Sequence, residues 1–284
     1  MTTQLIKEMP MHEYHEIDAC SKSMLAELVK STPLTAWKKY LDPERHAVLN
    51  EDLEFPYYEL YKEESKKHFD IGTAVHAYVL EPDNFDKYVV QRPAGDLRSK
   101  ANKAAFNDLL EDNFGKAVIT TDDMKDIQEA AKNILAMKTT EAILNTSGFV
   151  ESTILWERPD GTKMKCRPDF VNPDMDIVID VKTAESAAEL DFFWANRKFK
   201  YYMSHAITGE GYEAHFGRPL KAYIYLVVEK KTNLCAYYNS EGDCLAQGQG
   251  EMEEALALYN ECRSTGVWRA YPDEIRPISL ERPA

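Results

Sequence analysis

The chain is short of several things, and each shortage narrows what it can be. No stretch comes near the roughly 18 consecutive apolar residues that cross a bilayer. The opening MTTQLIKEMPMHEYHE has neither a basic leader region nor an apolar one, so no signal peptide is expected and a cytoplasmic location is. Cysteine is sparse and scattered: Cys20, Cys166, Cys235, Cys244 and Cys262 form no CxxC pair, which argues against a zinc knuckle, an iron–sulfur cluster or a disulfide framework. Positive charge is also in deficit, with 34 Lys and Arg against 48 Asp and Glu and a net charge of −14. That balance opposes a protein coated in cations for nucleic acid, although an acidic exterior can coexist with a local basic groove.

What is present suits one soluble α/β domain. The 284 residues are 44% hydrophobic, enough for one large core. Residues 1–147 read as mainly helical, 148–264 as a sheet with helices, and 265–284 as a Pro-containing tail. Ser21-Lys22-Ser23 before MLAELVK marks a helix start, and a second short helix follows Pro33. The charged stretch 43–66 reads as an irregular insert. Residues 71–82 have the spacing of a buried helix ending near Pro82, and 99–112 and 121–137 read as amphipathic helices. After Gly148 the pattern turns to strands at 150–157, 163–171 and 176–182, with Pro159-Asp160-Gly161 as a hairpin turn. One long aromatic helix over 187–208 is expected next, then strands at 221–229 and 233–238 and a helix at 246–264.

The residues that suggest chemistry lie in the strand region. Arg167-Pro168-Asp169 is followed, eleven residues after that Asp, by Asp180-Val181-Lys182. Side chains alternate along a strand, so Asp180 and Lys182 share a face, and a turn at Asn172-Pro173-Asp174 would bring Asp169 beside Asp180. Two carboxylates and an amine at one spot suit Mg²⁺, or Mn²⁺, and phosphodiester hydrolysis. Taken alone, the spacing equally describes a turn and a surface cross-pair. Charge on an otherwise apolar strand, however, is costly without a purpose. Glu151 reads either as a further acid of the site or as a solvated strand end, and His76, in an apolar helix, as a core histidine or a ligand. Arg197-Lys198-Phe199-Lys200-Tyr201-Tyr202 interleaves cations with aromatics, as a DNA grip or as an ordinary amphipathic face. Arg167 could contact a phosphate or pair with an acid, and the basic stretch 92–103 could line a DNA entrance.

Taken in order, GTAVHAYVLEP, ESTILWERPDGTKMKCRPDF, IVIDVKT and GYEAHFG resemble the exonuclease VIII (RecE) type of PD-(D/E)xK nuclease of phages and prophages, and more loosely the RecB-type nuclease domains. SKSMLAEL and STPLTAWKKY look like that family's opening helices. The resemblance implies a PD-(D/E)xK core with a central mixed sheet flanked by helices. It also implies a metal site of His76, Asp169 and Asp180 with Lys182 as the catalytic partner. It further implies 5′-to-3′ digestion of linear double-stranded DNA to leave 3′ single strands, a ring-shaped homo-oligomer and a single-strand annealing protein as partner. The sequence departs from the RecB-like pattern on the following helix, where Ser204 and Thr208 stand in the places of a Gln-xxx-Tyr motif. Ser204 remains a candidate DNA contact. The departure keeps two other readings open, a non-catalytic DNA-binding or interaction protein and an endonuclease or single-strand-specific nuclease.

Overall fold

The computed structural model describes residues 3–42, 64–93, 95–113, 115–144 and 146–275. Most of the insert expected at 43–66 and the end of the tail lie outside the described residues.

Local chemistry explains where the helices start. β1 (Thr3–Ile6) and α1 (Met11–Glu16) lead into α2 (Lys22–Lys30), whose cap Ser21 accepts from the Met24 N–H. In α3 (Pro33–Tyr40), Thr32 accepts from the Thr35 N–H, with Pro33 placed where no donor is needed. α4 (Glu64–Leu80) stops before Pro82. Then come α5 (Phe85–Tyr88), β2 (Val89–Gln91), α6 (Lys100–Asp112) and β3 (Ala117–Ile119), with β2 and β3 forming a small parallel pair. α7 (Thr121–Leu135) opens on a reciprocal box: Thr120 accepts from the Asp123 N–H at 3.1 Å and Asp123 from the Thr120 N–H at 2.8 Å. α8 (Lys138–Leu144) follows.

The remaining elements build two sheets. They are β4 (Phe149–Val150), β5 (Thr153–Glu157), β6 (Lys163–Cys166), β7 (Phe170–Asn172), β8 (Ile177–Ala184), α9 (Glu189–Phe199), α10 (Tyr201–Phe216), β9 (Ala222–Glu229), β10 (Cys235–Asn239) and α11 (Gly242–Thr265). The central sheet runs β10-β9-β8-β7-β4 and is mixed, parallel only between β8 and β9. The second sheet, β1-β5-β6, is antiparallel. One face of the central sheet, with Phe170, Ile179, Val181, Leu226 and Val228, packs with Val75 of α4 and Ile127 and Ile134 of α7. The other face, with Val171, Val178, Tyr223, Tyr225 and Val227, packs with Phe192 of α9 and Tyr212 of α10. Each such buried side chain contributes about 1.5–3 kcal/mol, which leaves the sheet rigid enough to hold charge at its centre.

Two expected strands prove to be four. The 150–157 run breaks at Glu151, whose φ is 46°, so β4 joins the central sheet and β5 the second one. The 163–171 run divides in the same way between β6 and β7, across Arg167-Pro168-Asp169. The long helix expected at 187–208 is also two. Lys200 adopts a left-handed conformation (φ 53°) between α9 and α10. The Asn196 side chain accepts from the Tyr202 N–H at 2.9 Å, and Lys200 reaches Glu251 at 2.6 Å, so side-chain bonds offset the strain of the break.

The GYEAHFG segment works in packing. A Cβ on Gly211 would lie 2.7 Å from the Trp156 ring, so only glycine lets α10 approach β5 this closely. Tyr212 donates from its hydroxyl to Asp176 at 2.7 Å, clamping the turn between β7 and β8 together with Arg218 and Lys221.

Candidate metal centre

Asp180 and Lys182 lie on the same face of β8, opposite Tyr225 and Val227 of β9. The Lys182 ammonium is bonded to Asp180 Oδ1. Asp169 follows the last bend before β7, one step beyond the Phe170–Ile179 pair, and its Oδ2 accepts from the Val181 N–H at 2.6 Å. Period-two alternation plus the turn at Asn172 is enough to produce this part of the site.

His76 arrives from α4. Its Nε2 donates to the Val181 carbonyl at 2.8 Å. A carbonyl only accepts, so Nε2 carries the hydrogen and Nδ1 faces the acids. Nδ1 stands 3.5 Å from Asp169 Oδ2 and 3.6 Å from Glu151 Oε1. One ligand atom from each of His76, Glu151 and Asp169 lies within 4.8 Å of the others, the spacing of a cation's donor set. Glu151 is held in place by Arg167, whose Nε is 3.1 Å from Oε2 and whose Nη1 donates to the Met9 carbonyl at 2.7 Å.

Burial and neighbouring charges together set the protonation of this cluster. Burial alone would push His76 down, but Asp169 and Glu151 overcome it and raise the ring to about 9. Burial, reinforced by Asp180, raises Asp169 to about 7 against the pull of His76 and Lys182. Burial would raise Asp180 as well, yet Lys182 holds it below its ordinary value. Burial disfavours the Lys182 ammonium, but Asp180 and Asp169 raise it, so it stays charged. Asp180 Oδ2 and, across the β8–β9 pair, the Tyr225 hydroxyl are buried with no hydrogen-bond partner among the described residues. A divalent cation fits such a set: hard oxygens, an imidazole nitrogen, and a buried carboxylate oxygen still lacking a partner.

The structure brings together His76, Glu151, Asp169, Asp180 and Lys182. Within that group, Glu151 occupies the three-donor cluster, while Asp180 is turned onto Lys182. Arg167, with only 9% of its side chain exposed, pairs with an acid and is not presented to solvent as a phosphate contact would be. Tyr201 borders the site, its ring centroid 5.4 Å from the Lys182 ammonium. Arg197 and Lys198 are exposed on α9, whereas Lys200 is tied to Glu251. Ser204 lies half-buried one turn along α10, and Thr208 is buried. In the 92–103 stretch, Arg92 lies over the Phe106 ring and Arg98 pairs with Asp96. The residue that sequence reasoning missed is Lys22. Its ammonium lies 5.5 Å from the Tyr201 centroid and donates to the Phe199 carbonyl at 2.7 Å. Burial, helped by Lys182, lowers it to about 8. Its only sequence signal was a lysine between two serines at a helix start.

The mixed sheet, the bent strand pairs and this cluster define a PD-(D/E)xK-like fold. The chain belongs to the family DUF3799, a PDDEXK-like domain of unknown function, which it matches over residues 35–279. Among solved structures, it is similar to a candidate exonuclease of Eubacterium rectale, with a TM-score of 0.58 and 15% identity over 96% of this chain and 97% of that one. At that identity the likeness concerns the fold. SSO0001 aligns over 48% of this chain and 67% of its own at 20% identity, with a TM-score of 0.28, too low to bear on the fold. No curated protein matches significantly. None of the described helices is long and apolar enough to cross a membrane.

Proposed function

We propose that this chain is a divalent-metal-dependent exodeoxyribonuclease that digests linear double-stranded DNA from its ends. The observation that carries the reading is the His76–Glu151–Asp169 donor cluster beside the Asp180–Lys182 pair. His76, Glu151 and Asp169 would hold Mg²⁺ or Mn²⁺, with Asp180 Oδ2 able to complete the set. A bound ion supplies electrophilic activation of the phosphodiester and a more acidic attacking water.

Lys182 is held as an ammonium by two carboxylates, so its role is to stabilise phosphate charge and orient water, not to remove a proton. Asp180 aims that ammonium. The resemblance to exonuclease VIII supports 5′-to-3′ polarity, 3′ single-stranded products for recombination, a ring-shaped homo-oligomer and a single-strand annealing protein as partner. The departure at Ser204 and Thr208 favours, as a second reading, a fold retained for DNA binding without cleavage.

A time course on end-labelled linear duplex, with Mg²⁺, Mn²⁺ or EDTA, separates the two. Release of nucleotides only with metal, abolished in Asp180→Ala and Lys182→Ala, is expected. Unimpaired digestion by either variant rejects the site, and no cleavage of any DNA favours the second reading. Closed circular and single-stranded substrates distinguish end-dependent from internal or single-strand cutting.

A further inference from the structure

The central sheet ends in two edges of very different character. β4, on one side, is only 2 residues long, too short to recruit another strand. β10, on the other, offers 5 residues, Cys235–Asn239, with no charge, no proline and a regular register. Exposed edges are normally guarded by one of those devices. The second sheet supplies the contrast: its β6 edge carries Lys163 and Lys165 and is closed by two main-chain bonds with Cys20.

The hydrogen-bond phase of β10 decides what its edge presents. Ser240 donates to the Tyr223 carbonyl and Glu229 to the Leu234 carbonyl, each at 2.8 Å. Bonded pairs alternate along an antiparallel ladder, so Ala236 and Tyr238 also face β9. Cys235, Tyr237 and Asn239 therefore turn their N–H and C=O groups away from the sheet. None of those main-chain groups has a partner among the described residues. The edge is also fixed in shape. Tyr238 stacks on Phe192 at 4.9 Å between centroids, and the Tyr237 hydroxyl bonds to Thr140. Leu234, at the start of the strand, is left 61% exposed.

Charge at the two ends of the strand says what fits. Lys231 precedes β10, and Glu241 and Asp243 follow it. All three are exposed, and none is in an ion pair among the described residues. An identical strand laid antiparallel, on a two-fold axis at Tyr237, sets Cys235 opposite Asn239 of the partner subunit. Every outward N–H then meets a carbonyl, and the same register places Lys231 opposite Asp243 of the partner subunit. A parallel copy would instead set like charges side by side, and a neutral peptide would leave them unanswered.

We propose that the β10 edge is a docking surface for a second copy of this chain, which joins two central sheets into one across a two-fold axis. The contact is independent of the nuclease reading. It also differs from a ring contact, because an isologous pair closes on itself whereas a ring needs a head-to-tail interface.

Sedimentation velocity of the full-length protein over a dilution series is the test. The wild type is expected to show twice the mass of Tyr237→Pro, whose missing donor points outward and leaves the bonds to β9 intact. Lys231→Glu should raise the dissociation constant about tenfold, since it sets like charges opposite each other at both ends of the joint. Adding Asp243→Lys should restore it. Should Tyr237→Pro melt early, the charge-swap pair decides alone. Equal mass for wild type and a stably folded Tyr237→Pro overturns the proposal. Two monomers would leave the edge to an extended segment of another protein, and a shared larger assembly would be built elsewhere. Failure of Asp243→Lys to reverse the Lys231→Glu defect, with thermal melts matching the parent, overturns it as well.

Discussion

The backbone N–H of Glu151 donates to the carbonyl of Asp169 at 3.0 Å, and the two residues stand at the paired bends where neighbouring strands pass from one sheet to the other. The bend turns both carboxylates toward His76, so the fold itself, through the left-handed φ of Glu151, sets the donor spacing. Arg167 completes the arrangement by bridging Glu151 and the Met9 carbonyl. Arg167→Gln is expected to leave the fold intact and weaken Mn²⁺ binding about 10–100-fold, the usual cost of losing a residue that orients a ligand. Titration calorimetry measures this directly. An unchanged dissociation constant would remove Glu151 from the metal set.

The Asp180–Lys182 pair yields a prediction about stability as well as activity. With 7% and 21% of their side chains exposed, these charges are removed from most of their solvent. Lys182→Met leaves Asp180 uncompensated and should destabilise the cation-free protein by about 3–5 kcal/mol in urea unfolding. Adding Asp180→Asn to Lys182→Met should recover much of that loss while activity stays absent. A single variant as stable as the parent would show that the pair is not electrostatically isolated.

How much of this was readable beforehand depends on how local the cause is. The shared face of Asp180 and Lys182 follows from strand alternation, and the approach of Asp169 from the Asn172 turn. Both were legible. His76 was placed at the site only by the family resemblance, because its bond to Val181 joins residues 105 apart, on α4 and β8. The bend at Glu151 was hidden, since alternation continues through TILWE as if the strand were unbroken. The break at Lys200 has no Gly or Pro to announce it, and depends on tertiary bonds to Asn196 and Glu251. The central sheet and the β5–β6 hairpin could be anticipated, but their division into two sheets could not, nor could β1, which is a strand only by pairing with β5.

The single nitrogen in the proposed donor set yields a prediction about metal preference. Imidazole is a poorer partner for Mg²⁺ than for softer divalent ions, and Mn²⁺ accepts both nitrogen and carboxylate ligands. Half-maximal activity is therefore expected at a lower Mn²⁺ than Mg²⁺ concentration. His76→Asp, which turns the set all-oxygen, should narrow or reverse that preference. Identical metal profiles for the variant and the parent would place the ion away from His76.

The same cluster couples metal binding to pH. His76 is raised to about 9, so the stability it gives the cation-free fold is present below its ordinary value and is lost as pH rises through 9. Asp169 is raised to about 7, so its buried neutral form likewise favours folding at low pH and ceases to do so as pH passes 7. The cation-free protein should therefore become less stable from about pH 6 to pH 9 as these groups lose their protons. A bound cation requires the opposite forms, a neutral ring and an ionised carboxyl, and displaces those protons. The rise in melting temperature on replacing EDTA with Mn²⁺ should then grow across that range. It should shrink to little in His76→Ala, which no longer offers Nδ1. A metal-induced shift that stayed flat or fell with pH would mean that the ion does not compete with protons for His76 and Asp169, and that the acids serve only each other.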